Sequence, residues 1–112
     1  MDTLDAYRQI IQNVLSQHIH TKYANVDIQN QAIFDSKHDS YCVISTGWAD
    51  EVKRIHSCLL HIDIIDGLMW IQQDGTEDGI AYELEEAGIP KSSIVLGFHE
   101  PEVRQYTGYA VA

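Results

Sequence analysis

His61-Ile62-Asp63-Ile64-Ile65-Asp66-Gly67-Leu68-Met69-Trp70-Ile71-Gln72-Gln73 is the stretch whose reading decides the fold. Asp66-Gly67 is the short-range signal of a tight hairpin turn, because both positions tolerate positive φ. The residues on either side are rich in β-branched, aromatic and long apolar types, as strands are. The stretch therefore predicts two antiparallel strands, Lys53 to Ile64 and Leu68 to Gln73. Working upstream, Asp27 to Asp35 alternates strictly, with Ile28, Asn30, Ala32 and Phe34 on one side and Asp27, Gln29, Gln31, Ile33 and Asp35 on the other. Ser36-Lys37-His38-Asp39 supplies turn residues, Tyr41 to Trp48 supplies another strand, and Ala49-Asp50-Glu51 breaks it. The result is an antiparallel meander of about four strands.

Helices flank this meander. From Asp2 to about His20, the residues Leu4, Tyr7, Ile11, Val14, Leu15 and His18 recur at three- and four-residue spacing, the period of an amphipathic helix capped by Asp2 or Thr3. After Asp74-Gly75 closes the sheet, Thr76 reads as an N-cap, with Glu77 and Asp78 in the first turn where acid complements the helix dipole. Ile80, Ala81, Leu84 and Ala87 form the apolar stripe of this second helix, and Gly88 with Pro90 end it. Ile94 to Phe98 is a short apolar run that reads as a strand. The predicted class is α+β, a single domain over residues 1–112: N-terminal helix, four-strand meander, second helix, short apolar strand and an ordered C-terminal tail. The helices are expected to cover one sheet face.

The tail is expected to be ordered because Pro101 to Ala112 carries Val103, Tyr106, Tyr109, Ala110 and Val111, with charge only at Glu102 and Arg104. Tyr106, Tyr109 and Arg104 are the candidate partner-binding residues. Tyrosine and arginine are enriched where proteins meet, and the contact expected of them is with a partner or a second copy of the chain.

Charge narrows the function classes. Seventeen acidic against seven basic residues give a formal charge of −10, which opposes the counterion release that supplies most DNA affinity. The cations are dispersed, with Lys53-Arg54 the one adjacent pair, so direct nucleic-acid binding is not expected. The longest mainly apolar stretch, Cys58 to Ile65, is interrupted by His61 and Asp63, far short of the ~20 apolar residues of a membrane helix. No basic leader precedes the helix, and the expected compartment is the cytoplasm. Cys42 and Cys58 are then expected to be reduced and buried.

No constellation closes on a reaction. His61 and Asp63 are two apart on a strand and share a face, as a metal pair or an acid–base couple would, but alternation is expected to turn His56 and Cys58 to the opposite face. His99 and Asp74 are the further residues a metal would have to recruit. Asp74-Gly75-Thr76-Glu77-Asp78-Gly79 has the acids of a calcium loop, but the twelfth position, Glu85, falls inside the predicted helix. Trp48 and Trp70, without flanking cations, read as packing residues. No catalytic, cofactor or metal residue is assigned.

The string His61-Ile62-Asp63-Ile64, Asp66-Gly67, Trp70-Ile71-Gln72, Gly75-Thr76-Glu77, Gly88-Ile89-Pro90, Ile94-Val95-Leu96-Gly97-Phe98, Arg104-Gln105-Tyr106-Thr107-Gly108 and Ala110-Val111-Ala112 resembles the XisI family. Tyr7-Arg8-Gln9-Ile10-Ile11, Phe34-Asp35 and Gly47-Trp48 extend the likeness over essentially the whole chain. The resemblance implies a non-enzymatic accessory role, that of a controlling factor for excision of the fdxN element in nitrogen-fixing cyanobacteria. It implies a XisH-like protein as partner and a site-specific recombinase complex as an indirect one, and it carries over no catalytic or metal residue. Two further functions compete: an antitoxin-like inhibitor whose acidic face covers a nuclease-like partner, and a small metal-dependent enzyme using His61 and Asp63.

Overall fold

The computed structural model describes residues 3–20 and 27–111. Its elements in chain order are α1 (Thr3–Gln17), a 3-10 turn (His18–His20), β1 (Asp27–Asp35), β2 (Ser40–Ala49), β3 (Lys53–Ile65), β4 (Leu68–Asp74), α2 (Ile80–Glu86), a 3-10 turn (Lys91–Ser93), β5 (Ile94–Leu96) and a 3-10 turn (Pro101–Tyr106). The sheet runs in the order β1-β2-β3-β4-β5; the first four strands form an antiparallel meander and β5 lies parallel to β4. The mixed sheet is the expected α+β architecture, with its last strand reached by the α2 crossover that a parallel pair requires.

Local chemistry sets each boundary. Asp66 and Gly67 both take positive φ, 51° and 79°, which is what the two-residue turn between β3 and β4 demands. Between β1 and β2, the Asp35 carboxylate accepts from the backbone N–H of Lys37 and His38 at 3.0 and 3.1 Å, holding the turn residues in place. α2 ends where expected: Ile89 N donates to Leu84 O and Gly88 N to Glu85 O, both at 3.0 Å, the paired bonds of a Schellman cap. The buried side chains of Leu84 and Ile89 supply its apolar contact.

The beginning of α2 corrects the sequence reading. Its first residue is Ile80, not a residue of the turn after Thr76, and Thr76 is no cap. Asp74 does that work from the end of β4. Its Oδ2 accepts from Ile80 N at 2.8 Å, and its Oδ1 accepts from Thr76 N and Oγ1 at 3.0 and 2.5 Å. Thr3 is the first residue of α1 and Asp2 lies outside the described residues, as does Ala112 at the end of the tail. The helical spacing through His18 resolves into α1 followed by a tighter turn.

The core lies on one side of the sheet. Ile11, Val14 and Leu15 of α1 and Ile80, Ala81 and Leu84 of α2 cover Tyr41 and Val43 of β2, Leu60 and Ile62 of β3, and Met69 and Ile71 of β4. Each such large side chain contributes about 1.5–3 kcal/mol by leaving water. Ser45, the buried polar residue here, donates from Oγ to Asn30 Oδ1 at 2.7 Å, and Asn30 Nδ2 donates to the His18 carbonyl at 2.8 Å. That chain ties β2, β1 and the turn that follows α1 together. At the other end of α1, Arg8 forks onto Asp39 at 2.7 and 3.1 Å and reaches Asp5. Asp39 also accepts from the Tyr41 hydroxyl, whose pKa burial and Asp39 push up to about 12.

Two outcomes follow from this packing. A Cβ at Gly47 would sit 1.9 Å from the Asp27 carbonyl oxygen, so Gly47→Ala forces β1 away from β2 and is expected to cost about 1–3 kcal/mol in urea unfolding. An unchanged midpoint would show that the strands separate freely. The hydrogen bond from Arg8 holds the Asp39 carboxyl below its ordinary value, so its stabilisation is present at neutral pH and is lost as pH falls below about 4. Asp39→Asn should melt lower than wild type at pH 7, with the gap closing in acid; a gap that stays constant with pH would contradict the pairing.

Candidate functional site

With helices on one face only, the other face of the sheet is open, and the chain's polar and aromatic constellations collect there. An extra residue in β3 decides which side chains reach it. Val43 stands opposite Leu60 but Ile44 stands opposite Cys58, so Leu59 is bulged out between them. Beyond the bulge the alternation of β3 is inverted. Cys42 and Ile44 are two apart on one strand and share a face, so their partners His61 and Cys58 share it too, and His56, opposite Thr46, joins them. The expectation that Cys58 and His56 face away from His61 is therefore corrected: a one-residue insertion reverses the parity that strict alternation assigns.

His61 and Asp63 do meet, as their spacing predicts. His61 Nε2 lies 2.9 Å from Asp63 Oδ1, Ser40 Oγ donates to the same oxygen, and Gln72 Nε2 donates to Oδ2 at 3.3 Å. Asp63 is thus an acceptor hub linking β2, β3 and β4. Cys42 and Cys58 are half-buried free thiols, more exposed than expected, and near enough to act on one another. Burial first, then Cys58 and Asp63, push the Cys42 thiol above its ordinary value, and burial does the same to Cys58. Both are protonated at neutral pH, the opposite of an activated nucleophile. Among the described residues no group of three or more His, Cys, Asp or Glu side chains is placed to hold a metal ion. Asp74, with its oxygens spent on Thr76 and Ile80, belongs to the α2 cap.

The tryptophans of this face gain what sequence did not show, a cation each. The Arg54 guanidinium lies 5.2 Å from the ring centre of Trp48, which is 45 % exposed, and that of Arg104 lies 5.0 Å from the ring centre of Trp70. Arg54 comes from six residues along the chain and Arg104 from the tail, so only the fold brings them over the rings.

Of the three candidate partner-binding residues, two are engaged within the fold. Arg104 donates to the carbonyls of His99 and Gly97 at 3.1 and 3.2 Å. Tyr109 donates from its hydroxyl to Glu85 Oε2 at 2.5 Å, lies under the Lys91 ammonium at 5.6 Å, and has its pKa pushed up to about 12 by burial and Glu85. Ala110 N donates to Ile94 O at 2.8 Å, which lays the end of the tail along β5. Tyr106, in contrast, is 80 % exposed. Elsewhere, a cleft of about 380 Å³ beside α2 is lined by His18, Leu59, Gly75, Thr76, Glu77, Asp78 and Glu83, with His18 Nε2 3.0 Å from both oxygens of Glu83.

The chain matches the family described as XisI protein over residues 1–111. A crystal structure of a XisI-like protein from Anabaena variabilis ATCC 29413 is 35% identical and superposes with a TM-score of 0.88, covering 98% of this chain and 100% of that one. A crystal structure of the fdxN element excision controlling factor XisI from the same organism is 34% identical with a TM-score of 0.82, covering 99% of this chain and 100% of that one. No protein of curated function matches.

Asp63 is the common acceptor of Ser40, Gln72 and His61. Asp63→Ala leaves Ser40 and Gln72 without their acceptor and is expected to cost about 1–3 kcal/mol of unfolding free energy, measured in urea. A variant as stable as wild type would show that the hub holds nothing.

Proposed function

The chain belongs to the XisI family, and on that premise we propose that it is a non-enzymatic accessory factor that acts by gripping a XisH-like protein and through it affects DNA processing. The observation that carries the reading is likeness over essentially its whole length to a solved fdxN element excision controlling factor. Three features support it. The protein carries a formal charge of −10, so any contact with DNA is better made by a partner. Its arginines are used on its own carboxylates, carbonyls and tryptophans. Its thiols are held protonated, and the His61–Asp63 couple of the open face is bound into the sheet.

A second reading, inhibition of a nuclease-like partner, is favoured by the acids gathered around α2, where Glu77 and Asp78 are exposed at the cleft and Glu86 is exposed at the end of the helix. Such a surface offers carboxylates where a basic substrate groove expects phosphates.

Co-expression with a XisH-like protein separates these readings. The accessory reading expects the two chains to elute as one species at moderate salt, with the partner's activity on DNA altered in specificity or timing. The inhibitor reading expects nuclease activity from the partner alone and its loss on adding this chain. Elution as two separate species sinks both.

A further inference from the structure

We infer that the outer edge of β1 is a docking strand, which takes up an extended, cationic segment of a partner protein as a further strand of the sheet. The inference rests on the reading of the chain as a partner-binding factor and says where and how the partner is held.

The sheet treats its two edges differently. β5 has three residues, and the tail lies along it through the Val95–Ala110 bridge, so that edge is both short and covered. β1 has nine residues, pairs with β2 over its full length without a break in register, and among the described residues has no strand beyond it. Edge strands are ordinarily protected by lysine, proline, a bulge, shortness or a cover. Asp27–Asp35 contains no lysine or proline and no bulge. It also presents Ile33, 51 % exposed, on the open face, where an added strand would cover it. A long, regular edge with no strand beyond it among the described residues offers a ladder of main-chain hydrogen bonds to an incoming segment, with alternate side chains setting specificity.

Charge selects the occupant. Asp27 and Asp35 bracket the strand and both are exposed. Asp35 is kept ionised by its hydrogen bond from His38, at 2.7 Å. A second copy is disfavoured: the two-fold antiparallel register that uses the whole strand, centred on Gln31, sets Asp27 of one copy opposite Asp35 of the other at both ends, and like charges directly opposite destabilise a pair. It also brings together two chains of formal charge −10. The same carboxylates that oppose self-pairing attract a strand with basic residues at its ends.

The test uses the full chain and a short synthetic peptide of alternating valine and threonine with a lysine at each end, followed by amide NMR and hydrogen exchange. The expected result is perturbation and slowed exchange confined to β1 and neighbouring β2, weakened by salt. The matching peptide with glutamate ends should bind about ten-fold more weakly or worse. Ile33→Lys, on an exposed site, should cut binding of the lysine peptide to a similar extent while leaving the melting temperature of the chain unchanged. Equal binding of the two peptides, or protection located at the tail or on the open face, overturns the inference. So does slowed exchange of β1 that grows with protein concentration in the absence of peptide, which would make the edge a contact between copies. Failure to co-elute with a XisH-like protein bears on the proposed function alone, because the peptide measurement stands without that partner.

Discussion

A sheet covered on one face obliges every strand to keep two chemically different sides, and in β3 the single residue Leu59 sets which side chains go where. Without its bulge, strict alternation would turn Ser57 and His56 to the opposite faces and carry Cys58 under the helices. With it, Leu60 and Ile62 still reach the core beside Val43 and Tyr41, while Cys58 and His56 are delivered to the open face. The bulge also frees the Leu59 carbonyl to accept from Gly75 N at 2.8 Å, which fixes the exit from β4 and hence the position from which Asp74 caps α2. The open face and the acidic cleft, to which Leu59 contributes, thus share one local cause. The α2 cap depends also on a second irregularity, in β4, where Gln72 is the extra residue between Ile71, opposite Ile62, and Gln73, opposite His61, and so brings Asp74 opposite Leu60.

The elements themselves were legible because they are written in short-range chemistry. Asp66-Gly67 can make only a few turns, β1 alternates without interruption from Asp27 to Asp35, and Gly88 with Pro90 leaves a helix little choice but to stop. What was illegible depends on partners distant in sequence or on insertion of one residue. Nothing in Ser57-Cys58-Leu59-Leu60 marks which residue will bulge, since several apolar residues in a row are compatible with either phase. The cap went to Asp74 over Thr76 because a carboxylate can serve two donors at once, one in the turn and one at the helix start. The cations over Trp48 and Trp70 were hidden for a similar reason: Arg104 arrives from a tail more than thirty residues on, and no local pattern announces it.

The charge balance gains meaning from where the cations are spent. Arg8 is committed to Asp5 and Asp39, Arg54 to Trp48, and Arg104 to Trp70 and two carbonyls. These contacts leave the acidic surplus on the outside, around α2 and at the ends of the sheet. A net negative field of this kind weakens attraction to phosphate backbones and favours basic surfaces.

Selection by field and capture by contact are different steps, and on the proposed reading they fall in different places. The acids around α2 act over roughly a Debye length, about 8–10 Å at physiological salt, and affect mainly how fast a basic partner arrives. They supply little shape. Lasting association needs desolvated, directional contact, and the sheet offers it where main-chain groups and an exposed apolar side chain coincide. The C-terminal edge has lost that capacity to the tail, whose Arg104 and Tyr109 hold it against its own domain. Closing one edge with its own chain leaves β1, among the described residues, as the edge with no strand beyond it, and the same contacts hold Tyr106 exposed on a segment already pinned in place, so that any contact it makes carries little ordering cost.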